Sequence, residues 1–175
     1  MTDLGRVAKL LGLNIKQSDD NKCITVGQAE YVQEMLQKLK LTELNACATP
    51  VEPNVSLTVT DCLSETSSDA DKALMRSVEY RQAVGFLLWI ANGTRPDIAF
   101  AVSQVSRFLE KPGPKHWQAV KRIVRYLIGS ADLKIRYTHN SEGQNFTEGY
   151  FSGILPGVMT SYVDADYATC KETRR

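Results

Sequence analysis

The spacing of apolar residues changes several times along the chain, and each change marks an element. In "AKLLGLNIKQ", Leu11, Leu13 and Ile15 alternate with glycine or polar neighbours, the two-residue repeat of a half-buried strand. "SDDN" at 18–21 is a turn signal, and "KCITVG" returns with Ile24 and Val26 on one side, so 10–27 predicts a β-hairpin. "QAEYVQEMLQKLKL" switches to helical spacing over 29–41. Tyr31, Val32, Met35, Leu36 and Leu39 share one face, and Gln33, Glu34, Gln37 and Lys38 oppose them. Residues 45–77 lose the period and are rich in Pro, Ser, Thr, Asn and Asp, which predicts a long, partly disordered connector. Pro50 and Pro53 favour an extended chain there.

Helical spacing resumes in three closely joined segments. "VEYRQAVGFLLWIAN" is apolar nearly all round from Ala83, which predicts a central buried helix. In "TRPDIAFAVSQVSRFLEK", Thr94 is placed to cap and Pro96 suits a first turn, with Ile98, Ala101, Val102, Val105 and Leu109 as the stripe. "GPKHWQAVKRIVRYLIGS" has a proline near its start and stops at Gly129. Its apolar face is Trp117, Val120, Ile123, Val124 and Leu127. One helical core is expected from Val84, Leu87, Leu88, Ile98, Val102, Val105, Trp117, Val120, Val124 and Leu127, and Trp89 also reads as core. Beyond it, "LKIRY" alternates Leu133, Ile135 and Tyr137 with Lys134 and Arg136. "HNSEGQ" is a loop, "GYFSGILPG" is ambiguous, and "VMTSYVDAD" reads as a last strand.

Composition sharpens this picture in two places. The four cysteines, Cys23, Cys47, Cys62 and Cys170, are scattered without a C-x-x-C, which suggests reduced intracellular thiols rather than a disulfide frame or a zinc site. His116 and His139 are isolated. The start "MTDLGRVAKLLG" has no signal-peptide pattern, and the apolar run at 83–91 is too short to span a bilayer. The net charge of +1 hides an asymmetry. Residues 1–71 carry 6 basic and 11 acidic side chains, residues 72–136 carry 12 and 4, and residues 137–175 carry 3 and 5. A basic middle block suggests a polyanionic partner.

Two features are candidates for chemistry. Lys115, Lys121, Arg122 and Arg125 lie opposite the apolar stripe of their helix, with no acid between 111 and 131. Any surface helix carries charges there, but an ordinary solvated face mixes signs, so phosphate contact is the competing reading. Asp164 and Asp166 sit at the end of a predicted strand. Nuclease carboxylates hold metal ions from such positions, and solvated strand ends look the same. Gly5 and Gly12 form no phosphate-cradling loop, and no G-K-[ST] occurs.

Four ordered motifs carry a resemblance. "EYRQAVGFLLWIAN", "TRPDIAFAV", "HWQAVKRIVRYLIGS" and "SYVDADYATC" resemble Y-R-x-x-V-G-x-L-x-Y, T-R-P-D-I-x-F-A-V, H-W-x-A-x-K-R-x-x-R-Y-L-x-G-T and Y-x-D-A-D-W-A-G of the copia-type retrotransposon polyproteins. The opening "MTDLGRVAKLLGLNI" and the stretch 24–55 match the preceding segment in order. The likeness excludes only the loop at 60–75 and residues 139–158. It covers the end of reverse transcriptase running into RNase H.

The resemblance implies an α+β arrangement. Residues 1–44 would close the polymerase palm and begin the thumb, and 45–77 would be a flexible linker. Residues 78–130 would form the helical thumb and connection that grip template–primer duplex, and 131–175 would hold antiparallel strands of an incomplete RNase H domain. Asp164 matches the family's first metal-binding aspartate; Asp166 shares the motif and is assigned no metal. Lys115, Lys121, Arg122 and Arg125 would face the duplex.

Departures limit the implied activity. The family's Y-x-D-D pair lies upstream of this stretch, its S-T-S-G lies downstream, and Trp-Ala-Gly is replaced by Tyr167-Ala168-Thr169. Met1 matches a methionine internal to the family's pattern. The parent activities are RNA-directed DNA synthesis and RNA-strand cleavage with Mg2+. This chain is expected to be catalytically inactive, to bind no Mg2+, and to keep sequence-independent binding to RNA/DNA duplex. A domesticated helical interaction module without a nucleic-acid role is the alternative. No membrane or small-molecule partner is expected, and the location is intracellular, cytoplasm and nucleus being undistinguished.

Overall fold

A computed structural model describes residues 5–53 and 55–138. The chain enters through three antiparallel strands, β1 (Lys9–Leu10), β2 (Leu13–Gln17) and β3 (Cys23–Gly27). The alternating pattern predicts the hairpin; β1 adds a tighter one before it. Leu11 and Gly12 link β1 to β2 with φ of 49° and 81°, the two left-handed residues of a type I′ turn. Gly12 is required twice over, because a Cβ there would lie 2.8 Å from the Tyr31 ring.

Helix α1 (Ala29–Leu39) follows, as the pattern predicts, and stops where Lys40 turns left-handed at φ 56°. Its buried residues Val32, Met35 and Leu36 enter the core. The stretch 45–77 is more ordered than its composition suggests. A 3-10 turn at Val59–Asp61 and a helix α2 (Asp69–Ser77) interrupt it. The local cause of α2 is legible: Ser68 Oγ accepts the Asp71 N–H at 3.1 Å and donates to the Asp71 carboxylate at 2.7 Å. "SSDADK" therefore carried a start signal, but the short apolar face behind it, Met75 alone being buried, hid the period.

Helices α3 (Tyr80–Gly93), α4 (Ala99–Ser106) and α5 (Pro114–Gly129) complete one core. Val84, Leu87, Ile98, Val102, Val105, Trp117, Val120, Val124 and Leu127 are buried, as their stripes predict. Leu88 and Trp89 are corrections: both are exposed, Trp89 at 41%. Thr94 is a second correction. It closes α3 and is buried, donating to Gln28 Oε1 at 2.8 Å, and α4 is entered through a 3-10 turn at Pro96–Ile98. Thr94 is the C-cap of α3, and Arg95 stands at the N-cap of the turn that follows. Phe108 is buried and stacks on the buried His116 with centroids 4.1 Å apart; His116 Nδ1 accepts the Gly113 N–H at 2.9 Å.

The last described strand, β4 (Ile135–Thr138), pairs antiparallel with β3, giving one four-stranded sheet in the order β1-β2-β3-β4. Thus the "LKIRY" segment, expected to begin a separate unit, lies on the N-terminal hairpin. The α+β class holds. The strand expected at 158–166, with Asp164, Asp166 and Cys170, lies outside the described residues.

The two sheet faces differ. Lys9 and Asn14 are paired and so share a face, and Lys9 Nζ reaches Glu30 (2.8 Å) and Glu34 (3.6 Å) on α1. This face is therefore turned to α1. Alternation puts Leu10, Leu13, Ile15, Ile24, Val26, Ile135 and Tyr137 on the other. None of these seven belongs to the helical core or packs against it.

Candidate nucleic-acid interface

The basic side of α5 is not open. Residues 45–61 run along it as a strap. Arg125 Nε donates to the Asn45 carbonyl at 2.7 Å, and the Cys47 N–H donates to the Arg125 carbonyl at 3.2 Å. Arg122 donates to Thr49 Oγ1 at 2.9 Å and lies 3.8 Å from the Glu52 carboxylate. Lys115 Nζ meets Asp61 Oδ1 at 2.5 Å. The Asp61 carboxyl is held below its ordinary range, first by the Lys115 hydrogen bond and then by those from Thr58. The strap backbone comes so close that a Cβ at Gly113 would overlap the Asp61 carbonyl.

Of the four predicted cations, three are therefore engaged by the strap. Lys121, half-buried, forms no ion pair among the described residues. The absence of acids within α5 has a structural cause that sequence spacing conceals. Its counter-charges, Asp61 and Glu52, arrive from more than fifty residues earlier in the chain.

A further cation, Arg95, carries no signal in the helical spacing. Arg95 is 3% exposed and joins the α3–α4 corner to the end of α5. Its Nε and Nη2 grip Asp97 at 2.9 and 2.7 Å, while Nη1 and Nη2 donate to the carbonyl (2.8 Å) and Oγ (2.7 Å) of Ser130. Tyr126 supplies both its ring, 5.4 Å from the guanidinium, and its hydroxyl, which donates to Asp97 Oδ2 at 2.8 Å. Burial opposes the Asp97 charge, but the Arg95 and Tyr126 hydrogen bonds outweigh it and hold the carboxyl below its usual range. "TRPD" and "RYLIGS" thus meet in space. The available signal was an arginine flanked by helix-breaking proline and a short-range acid.

The open surface lies on α3. Arg81, Gly85 and Trp89, four residues apart, form one outward stripe. Nothing stands within 4 Å of a Cβ built on Gly85. Arg81 Nε is steadied by the Leu109 carbonyl at 3.0 Å, and the neighbouring Leu88 is exposed. Phe100 on α4 is also exposed. The stripe therefore offers a fixed cation, a bare backbone and an indole.

Among the described residues no cluster of three or more His, Cys, Asp or Glu could hold a metal ion, and no helix is long and apolar enough to cross a membrane. Asp164 lies outside those residues, so no metal geometry is built on it. These features define a helical scaffold with a small sheet and an open aromatic face.

Comparison with known proteins places that scaffold. The chain is 34% identical over 175 residues to the retrovirus-related Pol polyprotein from transposon TNT 1-94 of Nicotiana tabacum, covering all of this chain and 12% of that protein. It is 35% identical over 142 residues to a putative transposon Ty5-1 protein of Saccharomyces cerevisiae, covering 81% of this chain and 43% of the relative. It is 34% identical over 105 residues to the Pol polyprotein from transposon RE1 of Arabidopsis thaliana, covering 60% and 6%. The chain belongs to the copia-type retrotransposon polyproteins and spans a small part of the polyproteins it matches. No family model matches it, and no solved structure matches it.

Proposed function

We propose that this chain is the thumb and connection segment of a copia-type reverse transcriptase and that it holds RNA/DNA duplex without sequence preference. On this reading the parent polyprotein carries out RNA-directed DNA synthesis and RNA-strand cleavage with Mg2+. These 175 residues alone do neither, because they hold no Y-x-D-D pair for synthesis and Asp164 has among them no further family carboxylates to share a metal with. The observation that carries the reading is the stripe Arg81–Gly85–Trp89 on a helix whose remaining faces are buried. A bare glycine permits close approach of a sugar–phosphate backbone, an indole gives a sequence-tolerant apolar contact, and the arginine neutralises phosphate. Lys121 adds a cation on α5. Lys115, Arg122 and Arg125 join only where the strap gives way.

The exposed Leu88, Trp89 and Phe100 favour a second reading, a protein-docking face without nucleic acid. Duplex binding measured against salt separates the two. The expected result is weak binding that falls steeply with salt. Arg81→Ala and Lys121→Ala should each flatten the slope by about 0.9 for a B-DNA duplex, and Trp89→Ala should weaken binding with the slope unchanged. Salt-independent or absent binding by the folded chain would leave the docking reading in front.

A further inference from the structure

The strap fits α5 closely at both ends and uses the cations between them sparingly. It runs antiparallel to the helix: Asn45 and Cys47 sit at Arg125, Thr49 and Glu52 at Arg122, and Asp61 at Lys115. Each end is seated on a glycine. A Cβ at Gly129 would lie 3.1 Å from the Ala46 Cβ, and one at Gly113 would overlap the Asp61 carbonyl. The span between has slack. From Gly113 to Gly129 the helix rises about 24 Å, whereas the chain from Ala46 to Asp61 reaches about 50 Å when extended. The contacts at Arg122 are also incomplete. Nη2 donates to Thr49 Oγ1 at 2.9 Å, the Glu52 carboxylate stays 3.8 Å away, and Nε is buried with no hydrogen-bond partner among the described residues. A buried donor left unpaired is costly, so an occupant that satisfied it would be favoured over the strap.

Building on the duplex reading above, on which this inference rests, we propose that the strap is a displaceable guard over α5. The backbone phosphates of a bound RNA/DNA duplex take Arg122 and Lys115 from Thr49, Glu52 and Asp61, while Asn45 and Cys47 stay on Arg125. Lys115 and Arg122 are seven residues apart, so they share one side of α5 and stand about 10.5 Å apart along its axis. That is about three steps of a nucleic-acid strand at about 3.4 Å each, so phosphates of one strand can meet both. A phosphate presents two oxygens to one edge of a guanidinium and engages Nε together with an Nη, which a threonine hydroxyl cannot do. Arg125 differs. Its Nε donates to the Asn45 carbonyl, and its own carbonyl accepts the Cys47 N–H, a backbone pairing that a phosphate cannot replace.

Two measurements on the full chain test this, with an RNA/DNA duplex of mixed sequence as the probe. Asp61→Asn with Glu52→Gln removes the charges of the guard and should tighten duplex binding. The gain should be several-fold greater than for Glu43→Gln with Glu65→Gln, which changes the net charge equally at two exposed acids outside the ion pairs with α5. In the wild-type chain, saturating duplex should speed cleavage within 48–61 by a broad-specificity protease several-fold. Equal binding by the two double variants, or cleavage that duplex leaves unchanged or slows, would overturn the guard and leave the duplex reading standing. No binding by the wild type or by either variant, with helix content intact, would overturn the duplex reading and the guard with it.

Discussion

The Arg95 guanidinium donates to the Ser130 backbone carbonyl at 2.8 Å, across 35 residues of chain, and so ties the corner before α4 to the end of α5. That carbonyl also accepts the Leu133 N–H at 3.1 Å, so the guanidinium is its second donor at the α5 C-terminus, where helices leave their last acceptors without intrahelical partners. With Asp97 and Tyr126 the group is complete: the cation has its anion, and the anion has a second donor.

Removing the anion should therefore be costly. Asp97→Ala leaves a guanidinium buried without its counter-charge, and a loss of about 3–5 kcal/mol in unfolding free energy is expected. Chemical denaturation measures it. Tyr126→Phe keeps the ring under Arg95 and removes one hydrogen bond, so about 1 kcal/mol is expected. Equal stability of Asp97→Ala and wild type would show that the latch contributes nothing.

The same group gives a sign for the pH dependence. Asp97 and Asp61 both have depressed carboxyl pKa values in the fold. The stability they contribute is present above the unfolded value near 3.8 and is lost as pH falls through the folded values. Stability measured from pH 6 downward should fall at acid pH, and Asp97→Asn should flatten that fall while lowering stability at neutral pH. A fall of the same steepness in the variant would assign the acid sensitivity elsewhere.

The strap changes what the α5 cations are expected to do. Sequence alone predicts that replacing Lys115, Lys121, Arg122 and Arg125 by alanine hardly alters stability. With Arg122 and Arg125 bound to Thr49 and Asn45, that quadruple change should instead cost about 1–3 kcal/mol. Lys121→Ala alone should be silent in denaturation. Lys115→Ala should cost at most about 1 kcal/mol, since its ammonium is largely solvated. Gly113→Ala drives a methyl group into the Asp61 carbonyl and should loosen the strap, read as faster proteolysis within 45–61.

The two tryptophans should behave oppositely. Trp117 is buried beside Tyr80, centroids 6.4 Å apart, and Trp117→Ala should cost about 3–5 kcal/mol. Trp89→Ala should leave the unfolding midpoint nearly unchanged. Acrylamide quenching of each single-tryptophan variant checks the placement directly, with only Trp89 quenched in the native state.

Catalysis is expected to be absent from the isolated chain. Incubation with Mg2+ and either primed template or RNA/DNA hybrid should give no incorporation and no cleavage. A metal-dependent signal that disappears in Asp164→Asn would overturn this, and one that survives the substitution would come from a contaminant.

Local pattern settled helices α1, α3, α4 and α5 and missed α2. Two-residue alternation marked the hairpin, and the stripes of α1, α4 and α5 named most of the buried residues, because amphipathic period is a property of one segment and its solvent boundary. Where the period gave no direction, tertiary structure decided. Helix α3 is apolar nearly all round, so nothing in it says which side the neighbours leave bare, and Leu88 and Trp89 fell on the open side. Sign purity in α5 read as a free basic face because an acid elsewhere in the chain is invisible to local spacing. Asp61 and Glu52 become its counter-ions only once 45–61 folds back. Thr94 looked like the cap of the next helix, but it closes α3 instead and donates its hydroxyl to Gln28, 66 residues away. Strand β4 has ordinary two-residue alternation, and its pairing with β3 joins residues far apart in the chain, Cys23 with Thr138 and Thr25 with Arg136. Such contacts depend on which surfaces remain unburied after the local elements form, and that is a property of the whole chain.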